Sequence, residues 1–560
     1  MEKHQTMTLR GKPAMEGIAI GVLRFSDLAE EEPEHSSVPL LESIAEQKER
    51  FIALREEVSN DYQLLAERAR KEIGESEAEI FTTHSLMVLD GDLEDAVFAQ
   101  IEEGMALKDA ILYAGESLAS MLEAMEDEYL RARGVDAREV TKRLVKGLRG
   151  RAEMGLSFSS PTVLAATDVT PAELLQADRS QLIGFFTSEG ATGSHTSILA
   201  RSLSLPSVVA TGALPDRAWE GETVILDGFT GEIIISPDTQ TLAHYCEKQA
   251  AVRAERRLEE GYRGLANRTE DGYEVDLLCN IGREEEIASV LQNDGGGIGL
   301  FRSEFLYLES KDYPSEETQY RIYRRLLEDM GGKPVVIRTM DVGADKQADY
   351  FGIGREENPA LGYRSIRICM DRPEILRIQL RALYRASVFG NLSILIPMIV
   401  SVAELLWVRR LEQEVRDELR SEGIAFDASL KLGIMIETPA AAMISDLLAE
   451  HADFFSIGSN DLTQYALAVD RQNPMIEEIY DSAHPAVLRM IEAIVYNAHR
   501  KKIKVSVCGE LARDTALVPF LLAVGVDRLS VSPPYVLRVR RAIRECDRRT
   551  VELSHFLKRK

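Results

Sequence analysis

The chain has 560 residues, 45% hydrophobic and 28% charged. That is the balance of a globular protein of three to four domains at about 150 residues each, and it excludes collagen-like, disordered and disulfide-scaffold classes. A net charge of −26, from 66 Lys and Arg against 92 Asp and Glu, repels nucleic acid and anionic membranes, so neither is expected as a main partner.

The polar start, Met1 to Arg10, lacks the apolar run of a signal peptide, and no stretch offers about 18 uninterrupted apolar residues for a membrane span. Five cysteines, an odd number with no Cys-x-x-Cys pair, argue against a disulfide framework or a structural zinc and point to a reducing cytoplasm.

In chain order, residues 8–28 carry GKPAMEGIAIGVLRF, short and β-like. From Pro39 to Gly150 the pattern is helical: Leu40, Leu41, Ile44, Phe51, Ile52, Leu54 and Val58 recur near three, four and seven. No proline falls between Pro39 and Pro161, so helices here can run long. Residues 71–130 hold 16 acidic and 2 basic side chains, which suits either a solvated helical face or a docking surface for a small basic protein. Strand-like runs return at 162–236 as VLAATDV, LIGFFT, SVVATG, TVILDG and GEIIIS. The reading is a β/α domain over residues 1–30 and 150–240, interrupted by a helical domain at 31–149. A charged helical linker follows at 241–265.

Residues 266–560 repeat one pattern eight times. Short apolar runs, VDLLCNIG, GIGLFRSE, PVVIRTMD, SILIPM, KLGIMIET, FFSIGSNDL, KVSVCGE and RLSVSP, each precede a helix-length segment. Eight such runs predict a (β/α)8 TIM-type barrel, whose chemistry sits at the C-terminal strand ends. A doubly wound sheet would show the same alternation, but no glycine-rich dinucleotide fingerprint follows the first strand. The overall class is thus α/β multidomain. The strand ends read Arg302, Arg338, Asp341, Glu437, Asn460, Asp461 and Cys508. Arg302 and Arg338, joined by Arg471 after strand six, suit a substrate bearing phosphate and carboxylate. Glu437 and Asp461 beside phosphate oxygens make a Mg²⁺ site. Asn460 would donate to a substrate oxygen, and the Cys508 thiol would transfer a proton. In the middle zone His195 follows small residues and precedes an apolar helical run. Ser194 and His195 are therefore expected at a helix N-terminus, where free N–H groups favour an anion and a histidine can carry a phosphoryl group. His84, in FTTHSLM, reads as partly buried.

The stretches SHTSILARSLSLPSVVATG, GIGLFRSEFLY, VVIRTMDVGADK, NPALGYRSIR, GIMIETPAA, FFSIGSNDLTQYALAVDR and VCGELA, in this order, resemble Enzyme I of the bacterial sugar phosphotransferase system, the phosphoenolpyruvate–protein phosphotransferases. The resemblance covers nearly the whole chain. It implies a swivelling phosphohistidine domain with a helical insertion, ahead of a barrel that binds phosphoenolpyruvate with Mg²⁺ or Mn²⁺ on Glu437 and Asp461. Arg302, Arg338 and Arg471, assisted by Asn460 and Lys346, would hold the substrate. His195 would take the phosphoryl group, and Cys508 would protonate the enolate to pyruvate. The acceptor implied is a histidine of the small carrier HPr, docked on the helical domain, and a homodimer through the barrel is expected. The chain departs from the family pattern at Ala191, Gly193, Leu174, Ala344, Arg513, Ala137 and Glu139. Another class stays open on the residues: a regulatory protein that senses phosphoenolpyruvate with weak turnover.

Overall fold

A computed structural model describes residues 6–26, 43–72, 75–124, 128–148, 158–169, 171–178, 180–190, 195–203, 205–308, 310, 312–344, 349–354, 356–471, 473, 476 and 479–558. Lys346 and residues 191–194 lie outside the described residues. The chain divides into two compact units, Met1–Arg256 and Arg257–Lys560.

The first unit is built on an eight-stranded mixed sheet. Its strands are β1 (Met7–Arg10), β2 (Lys12–Met15), β3 (Ile18–Phe25), β4 (Thr162–Ala166), β5 (Leu182–Thr187), β6 (Ser207–Val209), β7 (Thr223–Asp227) and β8 (Glu232–Ile235), in the order β1-β8-β7-β3-β4-β5-β6-β2. Strands β3 to β6 run parallel, and the others add antiparallel to either side. Every residue of β4 is buried, the burial on both faces expected of a central parallel strand.

Between β3 and β4 the described residues form five helices, α1 (Ile44–Glu72), α2 (Glu75–Val88), α3 (Gly91–Glu102), α4 (Leu107–Glu123) and α5 (Glu128–Gly147). With no proline to break it, α1 runs 29 residues. Ser43 and Glu46 cap its start reciprocally, the Glu46 N–H donating to Ser43 Oγ at 3.3 Å and the Ser43 N–H to Glu46 Oε2 at 2.8 Å. Phe51, Leu54, Val58, Tyr62, Leu65 and Ala69 form its buried stripe. Among the described residues no helix is long and apolar enough to cross a membrane.

One buried polar cluster interrupts this helical core. His84 is fully buried, deeper than its sequence context suggested. Its Nε2 lies 3.3 Å from Asp136 Oδ1, and its ring meets Tyr62 edge-on at 5.2 Å. Next to it Glu139 Oε1 is buried without a hydrogen-bond partner. Burial, opposed by His84 and reinforced by Asp136 and Glu173, pushes the Glu139 carboxyl up to about 7. The folded state thus holds this proton where the unfolded chain has released it. The resulting cost is absent below the ordinary carboxylate range, grows as pH rises and is complete above about 7. Glu139→Gln should therefore stabilise the protein at pH 8 by up to about 3 kcal/mol, with the gain shrinking towards pH 5. Urea unfolding at the two pH values checks it; an equal gain at both contradicts it.

Helix α6 (Pro171–Gln176) follows β4, and α7 (His195–Ser202) lies between β5 and β6. The 22-residue helix α8 (Thr239–Glu260) occupies the stretch read as a linker.

The second unit is a closed parallel barrel. Its strands are β9 (Asp276–Ile281), β10 (Ile298–Arg302), β11 (Pro334–Arg338), β12 (Asn391–Ile396), β13 (Lys431–Ile436), β14 (Phe454–Ile457), β15 (Lys504–Val507) and β16 (Arg528–Val531), paired in chain order, with β16 closing on β9. All eight expected runs are strands. Leu300, Val336, Leu395, Met435, Phe454 and Cys508 pack into a cluster of their own, while residues such as Ile337, Ile394, Ile434 and Ile457 join the larger core with the surrounding helices.

Candidate active site

The expected residues gather after the C-terminal ends of the barrel strands. Arg302 closes β10 and is exposed. Arg338 closes β11 and is buried. Glu437 follows β13 and Cys508 follows β15. The sequence reading placed Asn460 and Asp461 at a strand end. Strand β14 instead stops at Ile457, and both residues sit in the first turn of the helix Ser459–Leu467. The Gly458–Ser459 step turns the chain from strand to helix, and it keeps the two side chains near the mouth. Lys346 is not among the described residues.

Arg338 is held by two carboxylates. Its Nη2 lies 2.5 Å from Glu304 Oε1 and its Nη1 3.2 Å from Asp341 Oδ2, while Arg364 Nη2 reaches Asp341 Oδ1 at 3.0 Å. All four are buried. Burial alone would push the Arg338 guanidinium down, but Glu304 and Asp341, with Glu437 and Asp461 beyond them, raise it above its ordinary value. Arg338, at the end of a barrel strand, and Arg364, in the segment that follows it, are thus both held by buried carboxylates. Glu304 and Arg364 were not picked out as candidates from the sequence; they lie in the quoted stretches GIGLFRSEFLY and NPALGYRSIR, but nothing local separates them from surface charges.

Glu437 is 1% exposed. Its Oε1 accepts the Met398 N–H at 2.6 Å, and its Oε2 is buried with no hydrogen-bond partner. Burial, then Asp461 and Asp341, push this carboxyl up to about 8 against the pull of Arg338. A glycine is required beside it: a Cβ on Gly458 would stand 2.9 Å from Glu437 Cβ and 3.0 Å from Oε2. Asp461 Oδ1 lies 3.4 Å from Arg471 Nη2. Asn460 Oδ1 accepts the Glu510 N–H at 2.8 Å, which leaves its amide nitrogen for another partner. Gly509 makes room for that contact, since a Cβ there would sit 1.9 Å from Ser459 Oγ and 2.9 Å from Asn460 Oδ1.

An unpartnered buried carboxylate oxygen with acidic neighbours is the environment a cation relieves. Among the described residues no group of three or more His, Cys, Asp and Glu is placed to hold a metal. A site of two carboxylates suits Mg²⁺, which keeps few protein ligands and fills its shell with substrate and water. The donor set therefore fits that ion.

Cys508 is 5% exposed. Burial pushes its thiol up to about 11, against the Ser456 hydroxyl and the Arg338 charge. It is protonated at neutral pH, as a proton donor must be. In the first unit His195 opens α7, as expected. The next residue ties that helix start to the loop after β4, Thr196 Oγ1 donating to the Val169 carbonyl at 2.6 Å. Leu174 on α6 is buried.

A barrel mouth that combines fixed guanidiniums with an acidic pair suits an anionic substrate together with a cation. The chain matches the PEP-binding domain of PEP-utilising enzymes over residues 256–548, their N-terminal domain over 10–133 and their mobile domain over 158–231. The phosphoenolpyruvate-protein phosphotransferase of Priestia megaterium is 38% identical over 98% of this chain and 95% of its own length. That of Bacillus sp. (strain S) is 37% identical over 96% of this chain and 93% of its own. A solution structure of an Enzyme I protein, 30% identical, covers 44% of this chain and 99% of its own with a TM-score of 0.36. The chain belongs to the phosphoenolpyruvate-protein phosphotransferase family.

Proposed function

We propose that this chain takes the phosphoryl group of phosphoenolpyruvate onto His195 and passes it to a histidine of a small carrier of the HPr type. The observation that carries the reading is the barrel mouth itself: the buried Arg338 between Glu304 and Asp341, together with the unpartnered Glu437 Oε2.

In this reading Arg302, Arg338 and Arg471 bind the phosphate and carboxylate, with Asn460 and Lys346 donating to substrate oxygens. Glu437 and Asp461 would hold Mg²⁺ (or Mn²⁺). When bound, that ion neutralises charge on the phosphate oxygens. A ring nitrogen of His195 attacks phosphorus in line. The bond from phosphorus to the bridging oxygen breaks, and its electron pair stays on the enolate. The fixed guanidiniums stabilise the charge spread over the transferring group, without reorganisation at the moment of reaction. Cys508 then delivers its proton to the methylene carbon of the enolate, giving pyruvate.

The boundaries proposed are a histidine-bearing domain at 1–30 and 150–240, a helical domain at 31–149, a linker at 241–265 and the barrel at 266–560. The histidine-bearing domain would swivel between the barrel mouth and the helical domain, and a homodimer would form through the barrel. Support for carrier docking on the helical domain comes from its 16 acidic residues between 71 and 130, interspersed with exposed Leu86, Leu89, Tyr113 and Met121. That mixture suits a partner with a basic rim around an apolar centre. Incubation with labelled phosphoenolpyruvate, Mg²⁺ and a purified histidine carrier should place label on the carrier only when this chain is present. Binding of phosphoenolpyruvate without label on chain or carrier would favour the sensing protein instead.

A further inference from the structure

Around Cys508 the barrel interior carries polar side chains beside the apolar cluster of Leu300, Val336, Leu395, Met435 and Phe454, where such barrels are ordinarily filled by branched aliphatic side chains. Ser456, fully buried on β14, donates its hydroxyl to Cys508 Sγ at 3.3 Å. The thiol itself donates to the Ile457 carbonyl at 3.5 Å, and that carbonyl also accepts the Cys508 N–H at 3.1 Å. Asn280 donates to the carbonyls of Cys508 and Ser530, at 2.9 and 3.0 Å, and accepts the Ser530 hydroxyl at 2.6 Å. Ser506 lies two residues before Cys508 and pairs in register with Ser456. Its hydroxyl is buried without a hydrogen-bond partner.

These contacts divide into two kinds. Asn280 fixes the backbone at Cys508. Ser456 touches the sulfur, and as a donor. A donor on sulfur does little for a neutral thiol, which is a weak acceptor. It becomes a charge-assisted hydrogen bond once the proton has left. No other described side chain is placed as a donor on that buried sulfur.

We propose that Ser456 is a positioning residue for the proton transfer: its hydroxyl holds the sulfur while the S–H turns from the Ile457 carbonyl to the enolate, and it stabilises the thiolate left behind. The step balances. The S–H bond breaks, a C–H bond forms at the methylene carbon, and the sulfur keeps the electron pair until water returns a proton. The inference rests on the reading of Cys508 as proton donor, so the test separates the two.

Ser456→Ala, Ser456→Gly, Ser456→Thr and Cys508→Ala are compared in rapid-quench experiments that follow phosphohistidine and pyruvate separately. Carboxamidomethylation of Cys508 is followed from pH 8 to 10 by peptide mass spectrometry. Ser456→Ala and Ser456→Gly should form phosphohistidine at the parent rate but release pyruvate about tenfold more slowly, the scale of one hydrogen bond to a charged acceptor. The alkylation profile of Cys508 should move to higher pH by about one unit. Ser456→Thr, which keeps the hydroxyl, should restore both, and Ser456→Ala should add nothing on a Cys508→Ala background. Slow pyruvate release in Cys508→Ala, with unchanged release and alkylation in the two serine deletions, overturns the role of Ser456 alone. Unchanged release in Cys508→Ala overturns the proton donor, and Ser456 with it.

Discussion

His195→Ala should leave phosphoenolpyruvate binding within about twofold of the parent while abolishing label incorporation into the protein. His195 opens a helix in the first compact unit, whereas Arg302, Arg338, Asn460 and Arg471 all belong to the second. Removing the imidazole takes away the only proposed acceptor and none of the groups proposed to hold phosphate and carboxylate. Arg338→Ala should do the reverse. It removes a buried guanidinium and leaves Glu304 and Asp341 facing each other with less compensation, so substrate affinity should fall by two orders of magnitude or more, about 3 kcal/mol or above. Equilibrium dialysis with labelled substrate, run beside labelling quenched in alkali, reads both variants. Equal loss of affinity in the two would contradict a split between the acceptor and the binding site.

Glu437→Gln should lower phosphoryl transfer by at least about three orders of magnitude, the scale of several kcal/mol of lost charge stabilisation. The side chain is nearly isosteric, so the close approach that Gly458 allows is kept. What is lost is the negative charge at the unpartnered Oε2. The same variant should be more stable than the parent in chelator, because a buried carboxylate crowded by Asp461 and Asp341 is replaced by a neutral amide. Added Mg²⁺ should protect the parent against thermal unfolding and leave the variant unprotected. Full activity of the parent in excess chelator, or equal Mg²⁺ protection of both proteins, would remove Glu437 from the metal site.

The barrel was legible in the sequence because its strands are buried on both faces. Runs such as IGLFR and PVVIR are near-continuous apolar segments that end at a polar residue. The helix start at His195 was legible from small residues before it and an apolar run after it. Other features were hidden for physical reasons. FFSIGSNDL reads as one strand with a polar end, but the peptide turns at Gly458, so Asn460 and Asp461 sit on a helix. Glu304 and Arg364 carry the charge balance around Arg338, yet a pairing made through space between distant segments has no periodicity to betray it. Gly458 and Gly509 matter for the side chain that would collide with a Cβ, which depends on the fold. His84 looked partly buried from its own helix, and its partner Asp136 stands on another.

A single turnover shows whether His195 takes the phosphoryl group. The chain alone, with Mg²⁺ and excess phosphoenolpyruvate labelled at phosphorus, is quenched over time, and pyruvate and intact protein mass are measured together. A burst of one pyruvate per chain is expected, matched by the mass of one phosphoryl group. That group should be acid-labile, map to the peptide containing His195 and be recovered as phosphoenolpyruvate when excess pyruvate is added. Pyruvate formed with free phosphate and no protein-bound label, or label on a peptide other than that of His195, would contradict it.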